Sequence, residues 1–136
     1  MLKKALSLFA ASLLLGMIGC SFTFFPEDDP LVGTWNLKKQ VNTYDDGRKD
    51  STTTGSFFSN RYIFSDDNSF SSRTVVFGIP IDLSGTWSAT DDFITLTTGG
   101  QSQTWGYSIS GSELTLTQRI TENSVTKTTA KIYEKQ

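Results

Sequence analysis

From Leu31 to Gln136 the chain repeats one device. A short run rich in Thr, Val, Ile and aromatics is followed by a cluster of turn-forming residues, and no convincing helical period intervenes. The spacing predicts strands over Gly33–Tyr44, Ser51–Phe57, Arg61–Ser65, Ser69–Phe77, Leu83–Ala89, Phe93–Thr98, Gln103–Ile109, Leu114–Thr121 and Val125–Glu134. Only near Phe57-Phe58 does a short helical turn compete. The predicted turns are Asp45-Asp46-Gly47, Asp66-Asp67-Asn68, Gly78-Ile79-Pro80, Asp91-Asp92, Gly99-Gly100, Ser110-Gly111-Ser112 and Glu122-Asn123, all built from residues that tolerate positive φ or cap their own backbone. Strands joined by such short hairpins make a meander. Eight or nine of them curl most simply into an up-and-down antiparallel barrel, an all-β fold that closes its own edges.

Alternation within the strands marks a dry side. Trp35, Leu37 and Val41 share one face of the first strand; Leu83, Trp87 and Ala89 share another, as do Trp105, Tyr107 and Ile109, and Leu114, Leu116 and Ile120. The opposite faces read Thr, Ser, Asn, Gln and Lys, as a solvated wall should.

Ahead of this domain stands a different kind of segment. Lys3 and Lys4 precede an apolar run from Ala5 to Met17, and Gly19 sits just before Cys20, the one cysteine of the chain. The run is shorter than the roughly 18 residues that span a bilayer, so it reads as a cleaved signal. It resembles bacterial lipoprotein signals, with Met17 where Leu is commonest. The resemblance implies that residues 1–19 are removed and that Cys20 is acylated, with palmitate among the expected chains, making membrane lipid the first partner. Two or more acyl chains anchor a protein stably where one does so only marginally. Ser21, rather than Asp, after the cysteine implies sorting to the outer membrane, on its periplasmic or surface face. Residues 20–30 then read as a tether, with Pro26, Pro30 and Glu27-Asp28-Asp29 resisting regular structure. Phe22, Phe24 and Phe25 either rest in the membrane interface or fold back on the domain.

Charge excludes several functions. The formal net charge is −2, and loss of Lys3 and Lys4 with the leader takes it to about −4. Nucleic acid is therefore not an expected partner. Histidine is absent, which removes the usual general base near neutral pH and the commonest transition-metal ligand. No G-x-S-x-G elbow occurs. Asp45-Asp46, Asp66-Asp67 and Asp91-Asp92 sit where hairpins must turn and do not fit calcium-loop spacing. Neither enzymatic activity, nor a cofactor, nor a metal is expected.

Four short motifs carry a family resemblance: Leu31-Val32-Gly33-Thr34-Trp35, Gly85-Thr86-Trp87-Ser88, Phe93-Ile94-Thr95-Leu96-Thr97 and Glu113-Leu114-Thr115-Leu116-Thr117. Together they are similar to the lipocalin-like domain of many bacterial surface and periplasmic lipoproteins. The resemblance implies that Gly33 lets the chain bend, that Trp35 plugs one end of the barrel, and that a late arginine, matched by Arg119, packs over that indole. The chain departs from lipocalins in being shorter, without a disulfide or an evident C-terminal helix, which weighs against a large cavity. The second Gly-Thr-Trp reads as a recurring strand-entry device rather than a duplication.

Two functions remain. In one, Tyr62, Phe64, Phe70, Trp87, Trp105 and Tyr107 line a cavity for a small hydrophobic ligand, with Trp105 and Tyr107 orienting it through their polar tips. In the other, the same rings fill a narrow barrel, and the domain is an interaction or inhibitor module for another envelope protein. Phe77, Ile79 and Ile81 around Pro80 form a second apolar cluster, suited to a barrel lip or a docking patch.

Overall fold

The computed structural model describes residues 29–136, all of them in strands, turns or connecting loops. The leader over 1–19, Cys20 and the tether as far as Asp28 lie outside the described residues. Nine strands follow in order: β1 (Gly33–Tyr44), β2 (Lys49–Thr53), β3 (Phe58–Phe64), β4 (Ser69–Val76), β5 (Ile79–Ala89), β6 (Phe93–Thr98), β7 (Gln101–Ser110), β8 (Glu113–Glu122) and β9 (Val125–Lys135). Each pairs antiparallel with its neighbours from β3 to β9, and β1 bridges β3 and β9 to close an eight-stranded meander barrel. β2 is extra: it pairs with β1 over Lys39–Thr43, beyond the stretch from Gly33 to Asn36 that β3 uses.

Local sequence explains most of this, and its exceptions have physical causes. The predicted second strand (Ser51–Phe57) is displaced to Lys49–Thr53, and Phe58 opens β3 with no helical turn. The predicted Gly78-Ile79-Pro80 turn is instead the two-residue loop Phe77-Gly78, with φ of 51° and 77°. Positive φ at both positions matches the right-handed twist of the flanking strands. Val76 therefore pairs directly with Ile79, and Pro80 falls inside β5. It is tolerated there because β6 joins β5 only from Thr86 to Ala89, so Pro80 lies on an unpaired edge. The expected edgeless barrel is thus open along the upper half of β5.

A bulge corrects the first strand. Leu37 pairs with Tyr133 but Lys39 with Ile132, leaving Lys38 as the extra residue. One inserted residue exchanges the faces. Trp35 and Leu37 point inward, yet beyond the bulge Asn42 turns in to accept a hydrogen bond from buried Thr129 (2.9 Å), and Val41 takes the other face.

The core occupies the lower half. Leu31, Trp35, Phe64, Ile94, Leu114, Leu116 and Tyr133 are almost wholly buried. Tyr62 stacks on Phe64 at 5.4 Å, Phe64 meets Trp87 edge-on at 5.6 Å, and Tyr133 tilts against Tyr62 at 5.6 Å. Burying each such side chain contributes about 1.5–3 kcal/mol, and each ring pair adds about 0.5–1.5 kcal/mol. Above the rings lies a polar layer whose members satisfy one another, as burial demands. The Tyr133 hydroxyl donates to Asn60 Oδ1 (2.6 Å), and Asn60 Nδ2 donates to Thr74 Oγ1 (2.8 Å). Burial pushes the Tyr133 pKa well above its ordinary value, which keeps that hydroxyl a donor. Leu83, Ala89 and Ile120, expected on the dry side, are exposed.

Candidate functional site

The closed end of the barrel is built on Gly33 and Trp35. Trp35 is fully buried, and its Nε1 donates to the carbonyl of Leu31 (2.9 Å), so the residues before β1 form a floor beneath the indole. Gly33 has φ of 140°, and a Cβ there would stand 2.7 Å from Lys135 Cε. The positive φ is what favours glycine, because the end of the Lys135 side chain can swing aside. The cation over the indole is Lys135, whose Nζ lies 5.3 Å from the ring centroid. Arg119 does not serve: it is exposed and pairs with Thr128 toward the other end of β8. Side-chain alternation explains this. Trp35 faces inward, whereas Arg119 stands out of phase with buried Leu114 and Leu116 on β8.

The open end is decided by Gly85. Its Cα lies so close to β6 that a methyl group would overlap the Thr97 carbonyl oxygen. Above this point β5 continues to Ile79 while β6 stops at Thr98, and the β6–β7 hairpin folds back at Gly99-Gly100. The strands splay. A cleft of about 310 Å³ results, with Tyr62, Phe70, Leu83 and Leu96 as its apolar wall and Ser72, Thr98, Gln101, Ser102 and Gln103 as its polar one.

Two further grooves are of similar size. One, of about 370 Å³, runs along Arg61, Arg73 and Asp82, where the Arg73 guanidinium grips the Asp82 carboxylate at 2.8 and 3.0 Å. The other, of about 340 Å³, lies at the rim among Tyr44, Arg48 and Lys127. Neither touches the buried aromatic core, and the cleft does.

Of the six rings expected around a cavity, the structure brings Tyr62 and Phe70 to the cleft. Phe64 and Trp87 lie in the core, and Trp87 Nε1 is taken by the Ser65 carbonyl (3.1 Å). Tyr107 packs at the closed side, its hydroxyl donating to the Thr90 carbonyl (2.6 Å), so its polar tip is unavailable to a ligand. Trp105 is 6% exposed, and its Nε1 has no hydrogen-bond partner among the described residues. Lys131 Nζ sits 4.9 Å above its ring centroid. Burial also raises the Tyr62 pKa and lowers that of Lys131. Sequence reasoning missed every lining residue except Tyr62 and Phe70, and it missed Lys131. The available signal was phase: Lys131 alternates with Thr129 and Tyr133, both buried.

A family model described as a lipocalin-like domain matches residues 31–117, from the buried floor to the middle of β8. No curated protein matches the chain. The matched span covers the Gly33–Trp35 closure, the Gly85 splay and all but the last strand and a half of the barrel, and the chain belongs to the lipocalin-like domain family.

Proposed function

We propose that this chain is a bacterial envelope lipoprotein, held to the membrane through acylated Cys20, whose barrel binds a small apolar molecule without chemically altering it. The cleft carries the reading. Its volume of about 310 Å³ falls at the small end of the roughly 300–1,000 Å³ of ligand sites, and it sets core aromatics beside a few polar groups. Members of lipocalin-like families are typically non-enzymatic binding proteins, which accords with a chain lacking histidine. Three carboxylates of the acidic pairs accept backbone amides at the turns. Asp46 accepts from the Arg48 amide, Asp67 from the Ser69 amide, and Asp45 from the Thr126 amide.

A second reading, an interaction module, draws on the β4–β5 hairpin. Phe77 is 85% exposed, and Ile79, Ile81 and Leu83 extend an apolar stripe along an unpaired strand edge.

Anchoring and binding have separate tests. Cys20→Ser is expected to move the exported protein from the membrane to the soluble fraction; continued membrane association without the thiol would sink the anchor. Native mass spectrometry of that soluble protein is expected to show an added mass of a few hundred daltons, lost on denaturation. A bare mass from several expression hosts would favour the interaction module.

A further inference from the structure

The upper part of β5 has a neighbour on one side only. From Ile79 to Gly85 it pairs with β4, and β6 joins it only at Thr86. Successive residues of a strand turn their amides to opposite edges. The Trp87 amide donates to the Asn68 carbonyl on the β4 side, so Gly85, Leu83, Ile81 and Ile79 turn theirs toward β4 as well. Ser84, Asp82 and Pro80 therefore face the free edge. Pro80 has no N–H to offer, which leaves the amides of Asp82 and Ser84 and the carbonyls of all three. A proline and a charge are the usual means of blunting such an edge. Here neither blocks it. Pro80 stands one place beyond the two donors, and the Asp82 carboxylate is drawn back along the sheet by Arg73 at 2.8 and 3.0 Å.

A groove lies on each side of this edge. On the inner side is the cleft, with Leu83 half exposed at its mouth and Phe70 and Leu96 buried behind it. On the outer side is the groove of about 370 Å³, whose lining includes two neighbouring rows: Ile63, Ser71 and Ser84, then Arg61, Arg73 and Asp82. Arg61 and Arg73 stand directly opposite each other, a placement that like charges disfavour. Asp82 answers Arg73, while no carboxylate among the described residues lies within ion-pair distance of Arg61. We propose that the β5 edge receives an extended segment of another protein, in which apolar residues alternate with polar ones that include a glutamate. Its backbone continues the ladder at Asp82 and Ser84. Its apolar side chains cover Ile81 and Leu83 at the mouth of the cleft, both about half exposed as the chain stands. Its glutamate, placed opposite Ser84, lies over the two small serines and reaches the unanswered Arg61. Period-two alternation is what lets one strand serve both grooves at once. A lysine at the same place would add a third cation beside two.

This inference deepens the interaction-module reading and rests on it, so the test separates the two. Capped peptides are titrated into the full exported chain carrying Cys20→Ser, and its amides are followed by nuclear magnetic resonance. The parent peptide alternates valine with glutamate and threonine. It is expected to shift the Asp82 and Ser84 amides and to slow their exchange with solvent. A peptide with lysine for glutamate is expected to bind at least about fivefold more weakly, the scale of one exposed ion pair. Arg61→Gln is expected to remove most of that difference. Methylating the peptide's backbone amides along one edge is expected to abolish binding, and along the other edge to leave it, because a strand meets β5 with one edge only. Ser84→Pro, which takes away an edge donor as Pro80 already does, is expected to abolish binding while the β8 and β9 amides keep their shifts. Binding that tolerates methylation on both edges, or that shows no charge preference, would overturn strand addition while leaving an interaction surface in place. Protection of the Asp82 and Ser84 amides before any peptide is added would mean that a second copy or the chain's own tether holds the edge, and would overturn it too. No binding of any peptide would overturn both readings.

Discussion

Replacing Trp35 with alanine is expected to cost about 3–5 kcal/mol of folding stability, the range for removing a large buried ring. Three losses combine. The indole is fully buried, so its removal leaves a cavity that the surrounding strands only partly fill. Its Nε1 satisfies the Leu31 carbonyl, which would be left without that donor in the floor of the barrel. Lys135 loses the ring beneath its ammonium, a contact worth about 0.5–1 kcal/mol at a partly exposed site. Small domains are stable by only about 5–15 kcal/mol, so the variant should sit near the edge of folding. Urea unfolding followed by circular dichroism reads the change as a lower midpoint at unchanged slope. A loss under about 1 kcal/mol would mean that the closed end does not depend on this ring.

Gly85→Ala should be the most damaging of the small substitutions. Its new methyl group would overlap the Thr97 carbonyl oxygen, and a backbone atom cannot swing aside as the end of a side chain can. β5 and β6 must then move apart along a seam of only four residue pairs, Thr86 to Ala89. The expected cost is about 1–3 kcal/mol or more, as for other overpacked sites. Gly106→Ala is the control: its Cβ would meet the Thr117 carbonyl at 3.5 Å, an ordinary contact, so little change is expected. Hydrogen exchange provides the local readout. Amides of the β5–β6 seam should lose protection in Gly85→Ala and keep it in Gly106→Ala. Retained protection in both would show that the close approach at Gly85 is not required. Since that approach sets where the strands splay, the same substitution should also reshape the ligand cleft.

The strands were legible because their signal is local. Alternation and turn chemistry act over two to five residues, and β1, β6 and most of β7 to β9 fall where those signals place them. The Phe77-Gly78 turn was not legible, because a phenylalanine at φ of 51° runs against its own preference. It is imposed by the register between β4 and β5. The bulge at Lys38 left no mark in composition, yet it moved Val41 off the dry face and brought Asn42 onto it. The cation at the closed end shows the same limit. A basic residue over Trp35 was expected, but only the ladder shows that Trp35 stands opposite Lys135 while Arg119 lies far up β8.

By itself the sequence determined an antiparallel meander of short strands, a plug at Gly33 and Trp35, and a chain without histidine chemistry. The meander and the absence of histidine follow from residue type and near-neighbour spacing, and the plug from the resemblance of Gly33 and Trp35 to the family's motif. Only the tertiary structure decided which rings fill the barrel and which reach the cleft, where β5 parts from β6, and that Lys131 lies over Trp105. Those are contacts between residues distant in the chain. They depend on register and on the closure of β1 with β9, and a shift of one residue exchanges the inside of a strand for its outside.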